Sequence, residues 1–245
     1  MSLYLIPVPI TENALHTIPP YVQEIARGLD IFIVERAKTA RHFIKSLGPA
    51  KPLQEMTFVE MSQQETDGKG TGKEDREAET AFLEAIKAGK DVGLLSEAGC
   101  PGVADPGAKI VALAHKTGVK VVPLVGPSSL LLALMASGMS GQRFSFHGYL
   151  SPKRPELAAD LRRLENLSRQ QKQTQLFIET PYRSQMVLEV ALESLQPGTY
   201  FGLAQDLTGA GELVRTLPVK EWKQVLAKGG VKLEKLPCVF LVYVE

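Results

Sequence analysis

The 245-residue sequence predicts an α/β protein of two α/β domains, a parallel-sheet N-terminal domain and a mixed-sheet C-terminal domain. Three observations carry that reading. Short apolar runs rich in Val, Ile, Leu and Phe recur without polar alternation, which suits strands covered by helices on both faces. Helical patterns separate these runs through about residue 140, giving the strand–helix alternation of α/β folds. Beyond Gly141 the strand signals crowd together, as in the antiparallel part of a mixed sheet. The boundary falls in the turn after the fourth run, giving domains 1–124 and 125–245.

Taken in order, Leu3–Ile6, Ile31–Val34, Val92–Leu95 and Val119–Leu124 are the strands of the first domain. Between the second and third lies "SQQETDGKGTGKEDRE", Ser62–Glu77, whose polar, glycine-rich first part cannot build a core and reads as a mobile surface loop. Thr71 and Glu74 have capping-box spacing for a helix with Ala78, Phe82 and Ile86 on one face, ending at Gly89. In the second domain "RFSFHGYL" reads as a strand and "SPKRPELAADLRRLENLSRQQKQ" as a basic, exposed helix. Leu176–Ile178 is a strand running into a turn, and "YFGLAQDL", "GELVRTL" and Val239–Val244 are further strands, with one helix from Pro218 to about Lys228.

Composition narrows the function. The chain is 44% hydrophobic and 22% charged with a formal net charge of +1, so it carries no overall nucleic-acid footprint, although a local basic face fits inside that average. Cys100 and Cys238 lie far apart without a CxxC, and His16, His42, His115 and His147 have no metal-ligand spacing. A reducing compartment and no metal site are expected. The start "MSLYLIPVPITEN" lacks a basic n-region and is broken by prolines, unlike a signal peptide. The longest apolar run, Leu130–Ala136, is far shorter than the roughly 18 residues of a membrane span. A soluble, cytoplasmic protein with no membrane partner is expected.

Two nucleotide motifs fail. "GKGTGK" (Gly68–Lys73) has Asp67 where a P-loop needs glycine and Glu74 where it needs Ser or Thr. No GxGxxG follows any strand, which weakens a dinucleotide reading. "SEAGCPGVADPG", Ser96–Gly107, is more informative. Gly99, Gly102 and Gly107 let backbone approach a ligand, while Pro101 and Pro106 fix peptide groups in advance. Asp105 before Pro106 has the look of an N-cap with proline at N1. Glu97 has no such structural explanation and reads as facing a ligand or cation. "GPSS", Gly126–Ser129, offers Pro127 as a helix start and the Ser128 and Ser129 hydroxyls either as an anion site or as ordinary caps. In "IETPYR", Glu179 and Arg183 either pair with each other or serve a site at a third strand end. Cys100 has no histidine near it in sequence to activate it as a nucleophile. The run Lys153, Arg154, Arg162, Arg163, Arg169 and Lys172 is either a solvated helix face or an RNA-facing patch.

The stretch from Leu94 to Lys153 resembles the tetrapyrrole methylase superfamily, most nearly its ribosomal small subunit methyltransferase I branch, which methylates a ribose 2′-hydroxyl of 16S rRNA. The branch's "SDAG.P..SDPG" is similar to Ser96–Gly107, its "PGP" to Val125–Pro127, its "G(F/Y)LP.K" to Gly148–Lys153 and its "YESPHR" to Ile178–Arg183. The start "LYLIPVPI" echoes the branch's "LYL..TPI". The resemblance implies a homodimer that holds S-adenosylmethionine in a cleft between the two domains. Carried over, the cofactor meets Pro9, Glu97, Ala98, Gly99, Cys100, Val103, Ala104, Ser128, Ser129, Thr180, Pro181 and Leu207. Glu35, Glu179 and Arg183 become candidates for a base or for orienting groups, with ribosomal RNA or the small subunit as partner. The sequence departs from the branch where "TPIGN" has become "VPITEN", "AEDTR" has become "VERAK" and "RELTK..E" has become "AQDLTGAGE". Those segments line the substrate side in the family. A tetrapyrrole-type small molecule as acceptor, or a S-adenosylmethionine-binding protein without catalysis, therefore stay open as alternatives.

Overall fold

The computed structural model describes residues 1–61, 73–231 and 233–245; the expected loop over 62–72 and the Thr71 cap lie outside the described residues. The chain divides into two compact units, Met1–Ser128 and Ser129–Glu245.

The first unit runs β1 (Ser2–Leu5), α1 (Pro20–Arg27), β2 (Ile31–Val34), α2 (Ala37–Ser46), β3 (Thr57–Glu60), α3 (Lys73–Lys87), β4 (Val92–Leu95), α4 (Ala108–Lys116) and β5 (Lys120–Pro123). All its pairings are parallel, in the order β3-β2-β4-β1-β5. The central strands are buried on both faces, and β4 is buried at all its positions, which is why their sequences lack alternation. Two cores flank the sheet. On one face α1 and α2 bring Val22, Ala26, Phe43 and Ile44 against Ile6, Phe32 and Val34. On the other, α3 and α4 bring Phe82 and Ile110 against Leu3, Ile33 and Leu94. Right-handed crossovers require this sorting. From β1 to β2 to β3 the chain steps in one direction across the sheet, and from β3 to β4 to β5 it steps back. Gly93 of β4 packs closely under Ile6 and Phe32 of the first of these cores, since a Cβ there would lie 2.8 Å from both Ile6 Cδ1 and Phe32 Cδ1.

β3 is the strand that sequence reasoning did not place. "TFVE" has an exposed residue at each end and, among the described residues, pairs only with β2, so it carries the weak pattern of an edge.

The second unit runs α5 (Ser129–Ala136), β6 (Phe144–Tyr149), α6 (Arg154–Gln171), β7 (Thr174–Glu179), α7 (Ser184–Ser194), β8 (Tyr200–Gln205), β9 (Leu213–Pro218), α8 (Val219–Ala227) and β10 (Cys238–Tyr243). The order is β6-β7-β10-β8-β9, with β6 and β7 parallel and the other pairs antiparallel. One sheet face packs against α6, α7 and α8, where Phe177, Phe240 and Phe201 stack in a row and buried Trp222 donates its indole N–H to the Phe201 carbonyl at 2.7 Å. The other face carries Ala133 and Leu134 of α5.

Two local expectations are corrected. α5 starts at Ser129, so Pro127 lies two residues before the helix rather than opening it. α6 is amphipathic rather than wholly exposed: Leu157, Leu161 and Leu164 are buried, and Glu165 is buried accepting from the Gln196 N–H and the Thr199 hydroxyl. Among the described residues no helix is long and apolar enough to cross a membrane.

Candidate functional site

In parallel sheets, ligands collect at the carboxyl ends of strands where neighbouring connections leave to opposite faces. In the first unit β4 meets that condition. Its chain leaves toward the α4 face, while its neighbours β1 and β2 leave toward the α1–α2 face. The Ser96–Gly107 loop therefore begins where a ligand is expected, and tertiary contacts hold it on both sides. Val8 and Gly99 form an antiparallel bridge, N–H to carbonyl at 2.9 and 3.1 Å, which sets Pro9 beside the loop. The Cys100 thiol donates to the Pro127 carbonyl at 3.4 Å. Gly99 (φ 72°) and Gly102 (φ 78°) take the left-handed region that favours glycine. Ala104 shares that region at φ 63°, a strained choice for a residue with a Cβ. Ala98, Gly102, Val103 and Ala104 are exposed, so a backbone ribbon with one apolar side chain lies open at the strand end.

Three carboxylates gather at this loop. Glu35, one residue past β2, accepts the Glu97 backbone N–H at 2.9 Å. Glu97 in turn pairs with Arg36 Nε at 3.1 Å and accepts the Thr39 hydroxyl at 3.3 Å. Glu97 thus has the intramolecular partners that the sequence did not reveal. That pair is solvent-exposed and weakly held, so a cationic ligand can compete for it. Asp105 is the third. It is not the N-cap of α4: the cap is Gly107, at φ 135°, and Asp105 sits two residues too early. Asp105 instead lies half-buried near Glu35, Ser96 and Glu97. Burial first, and then the Glu35 charge, push its carboxyl up to about 7. Burial likewise raises Glu35, against the opposing pull of the Glu97 N–H. The two carboxyls so share the site with fewer than two charges near neutral pH. Cys100 is raised by burial and then by Asp105, the reverse of what an activated thiolate needs.

"GPSS" closes this end of the unit. A Cβ on Gly126 would lie 2.2 Å from both Cβ and Cγ of Pro7, so glycine is required where the turn crosses the first strand's exit. Ser128 and Ser129 are partly exposed behind it.

In the second unit the carboxyl ends of β6, β7 and β8 lie at one end of the sheet. Glu179, Cys238 and Gln205 are in register across β7, β10 and β8. Glu179 is only 1% exposed at its side chain and is fully committed: it accepts the Thr180 N–H at 2.7 Å and hydroxyl at 3.2 Å, and pairs with Arg183 at 3.1 Å. Arg183 also donates to the Ser151 carbonyl at 2.9 Å. Thr180–Arg183 is thereby a braced turn, with Pro181 half-buried and Tyr182 exposed. After β8, Asp206 (φ 51°) and Thr208 (φ 70°) carry left-handed backbone around buried Leu207. The Asp206 carboxylate accepts the Gly211 N–H at 2.8 Å, and a Cβ on Gly209 would strike that carboxylate at 2.3 Å. The glycines of "DLTGAG" thus shape this turn. Gln205 was not singled out from the sequence; its buried amide donates to the Glu234 and Leu236 carbonyls and accepts the Glu234 N–H, which fixes the approach to β10. Nothing in the local pattern could have found it.

The family model of the tetrapyrrole (corrin/porphyrin) methylases matches residues 2–223. The chain belongs to this family. A curated relative from Synechocystis, named ribosomal RNA small subunit methyltransferase I, is 30% identical over 87% of this chain and 67% of its own. One of the same name from Pseudomonas aeruginosa is 29% identical over 98% of this chain and 78% of its own. Among solved structures, a cobalt-precorrin-4 methyltransferase of cobalamin biosynthesis superposes with a TM-score of 0.56 at 14% identity, covering 99% of this chain and 94% of that one; at that identity the likeness speaks for the fold. Tetrapyrrole methylases are methyltransferases, so in this methylase the strand-end loops are to be read as parts of a methyl-transfer enzyme.

Proposed function

We propose that this methylase transfers a methyl group from S-adenosylmethionine to a ribose 2′-hydroxyl of small-subunit ribosomal RNA, as a cytoplasmic homodimer. The observation that carries the reading is the similarity, over 87% and 98% of this chain, to relatives named for ribosomal RNA methylation.

The residues present fit the cofactor. The loop Ala98–Ala104, exposed at Ala98 and from Gly102 to Ala104, with glycines at 99 and 102 and the apolar Val103, suits an adenosine that is read by peptide groups and apolar contact. Pro9, Glu97 and Cys100 border it, and the partly exposed Ser128 and Ser129 hydroxyls suit a carboxylate. In the second unit Thr180, Pro181 and Leu207 are the proposed contacts. When bound, S-adenosylmethionine supplies an electrophilic methyl group on a positively charged sulfur. The negative charge of Glu35, Glu97 and Asp105 favours binding of such a cation.

A ribose hydroxyl must lose its proton as it is methylated, and a base matched to that task titrates near neutral pH. The Glu35–Asp105 pair meets this requirement, and we assign it the proton. Glu179 and Arg183 brace the Thr180–Arg183 turn of the second unit and are proposed as positioning groups. The exposed Leu131 and Met135, one helical turn apart on α5, support a second copy packing there.

The test has two stages. Thermal unfolding with S-adenosylmethionine at a hundredfold over Kd should show a stabilisation of about 2.7 kcal/mol. Labelled-methyl transfer should then occur to small ribosomal subunits and not to a reduced tetrapyrrole. Transfer to the tetrapyrrole alone replaces the acceptor; absence of stabilisation removes the cofactor.

A further inference from the structure

We infer that Tyr182, together with Lys235, is a stacking platform for an unpaired nucleobase of the RNA acceptor, a positioning element that rests on the ribosomal RNA reading above. Tyr182 is 81% exposed. Its ring belongs to no core cluster, and its hydroxyl has no hydrogen-bond partner among the described residues. A lone exposed ring is common and by itself says little. What sets this one apart is the construction beneath it.

The turn that carries Tyr182 is braced from within. Glu179, buried at the end of β7, binds the Thr180 N–H and hydroxyl and the Arg183 guanidinium. Arg183 reaches on to the Ser151 carbonyl, and its own N–H closes the turn on the Thr180 carbonyl at 3.0 Å. Residues on both sides of Tyr182 are therefore fixed while its side chain is left outside. Lys235 is held separately. Gln205 clamps the carbonyls on either side of it, those of Glu234 and Leu236, at 3.0 and 3.3 Å. The two braces converge because Glu179, Cys238 and Gln205 are paired in one row across β7, β10 and β8. The outcome is an ammonium 5.7 Å from the centre of an otherwise open aromatic ring.

A buried carboxylate and a buried amide are thus both committed to presenting an aromatic–cation pair to solvent. That combination is what single-stranded nucleic acid recognises: a ring face for the base, a fixed positive charge for its phosphate, and no requirement for a particular sequence. The pair stands at the same end of the sheet as Thr180, Pro181 and Leu207.

The experiment measures binding of a fluorescent single-stranded RNA and methyl transfer to small ribosomal subunits, using the full chain and the variants Tyr182→Ala, Tyr182→Leu, Tyr182→Phe and Lys235→Ala. Tyr182→Ala and Tyr182→Leu are expected to weaken RNA binding roughly tenfold to a hundredfold. KM for the subunit should rise accordingly, with kcat, unfolding midpoint and S-adenosylmethionine affinity unchanged. Tyr182→Phe should restore wild-type behaviour, and Lys235→Ala should flatten the salt dependence by about one phosphate contact. Wild-type RNA affinity and KM in both Tyr182→Ala and Tyr182→Leu, from a chain that methylates the subunit, would overturn the inference alone. A wild-type chain that neither binds nor methylates RNA would overturn it together with the ribosomal RNA reading. Loss in Tyr182→Phe as well would assign the effect to the hydroxyl and reject stacking.

Discussion

The Glu35 carboxylate, at the end of β2, accepts the backbone N–H of Glu97, 62 residues further along, at 2.9 Å. That one contact ties the glycine loop of β4 to its neighbouring strand. Hydrogen bonds to a charged acceptor contribute about 1.5–3 kcal/mol, toward the lower end at a half-buried position such as this. Glu35→Ala should therefore lower stability by about 1–2 kcal/mol and weaken S-adenosylmethionine binding by about tenfold as the loop loses its support. Urea unfolding and calorimetric titration would measure the two effects separately. Unchanged affinity would mean the loop holds its shape through the Val8–Gly99 bridge alone.

Asp105 gives the pH dependence a sign. Its carboxyl is raised from an ordinary value of 3.8 to about 7 in the folded chain. Between those values the folded state keeps a proton that the unfolded state has lost, so stability falls as pH rises from about 4 to about 7 and is level beyond. Asp105→Asn should remove that loss. The variant is expected to be more stable than wild type at pH 8, on the order of 1–2 kcal/mol after allowance for solvent screening, and equal to it at pH 4. If the Glu35–Asp105 pair takes the acceptor's proton, the methylation rate rises through pH 7 in the wild type. In Asp105→Asn the inflection moves down, because Glu35 is then relieved of a neighbouring charge. A pH–rate profile unmoved by Asp105→Asn would place the base elsewhere.

The first sheet was legible because its central strands are buried on both faces, and unbroken apolar runs such as Val92–Leu95 follow from that burial. The mixed second sheet followed from crowding of strands after Gly141. β3 escaped because an edge strand with glutamate at its end has neither periodicity nor an apolar run. Asp105 was misread for a subtler reason. Asp-Pro before a helix is a sound local signal for an N-cap, but Gly107 at φ 135° delays the helix by two residues, and what surrounds Asp105 is set by Glu35, 70 positions away. The partner of Glu97 was hidden in the same way, since Arg36 lies on another strand's exit. Local pairs, by contrast, were within reach: the four-residue spacing of Glu179 and Arg183 offered their ion pair as one of two readings, and the structure has that pair.

The basic helix divides into paired and unpaired charges, and this sharpens a test of RNA binding. Arg154 is engaged by Glu189 and Glu193, Arg163 by Asp160, and Lys153 by Glu156. Arg162 has no such acidic partner among the described residues and lines an open surface groove of α6 with Asn166 and Gln170. Arg162→Glu should weaken RNA binding several-fold at about 50 mM salt, with the difference shrinking by about 200 mM. Arg154→Glu should instead cost stability by placing three carboxylates together. Equal RNA affinity in Arg162→Glu and wild type at low salt would make α6 a solvated face.

The Glu179–Arg183 pair allows the sharpest stability prediction, because its carboxylate is buried. Removing the arginine leaves a charge with only Thr180 to solvate it, and breaking a buried pair from one side costs about 3–5 kcal/mol. Arg183→Ala is expected in that range by urea unfolding. Glu179→Gln should cost less, since an amide oxygen still accepts the Thr180 N–H and Arg183, a quarter exposed at its side chain, can turn toward water. The double variant should be milder than the sum, giving a coupling of about 1–3 kcal/mol in the cycle. Additive effects would show that the two side chains act independently and that the turn carrying Tyr182 is held by its backbone alone.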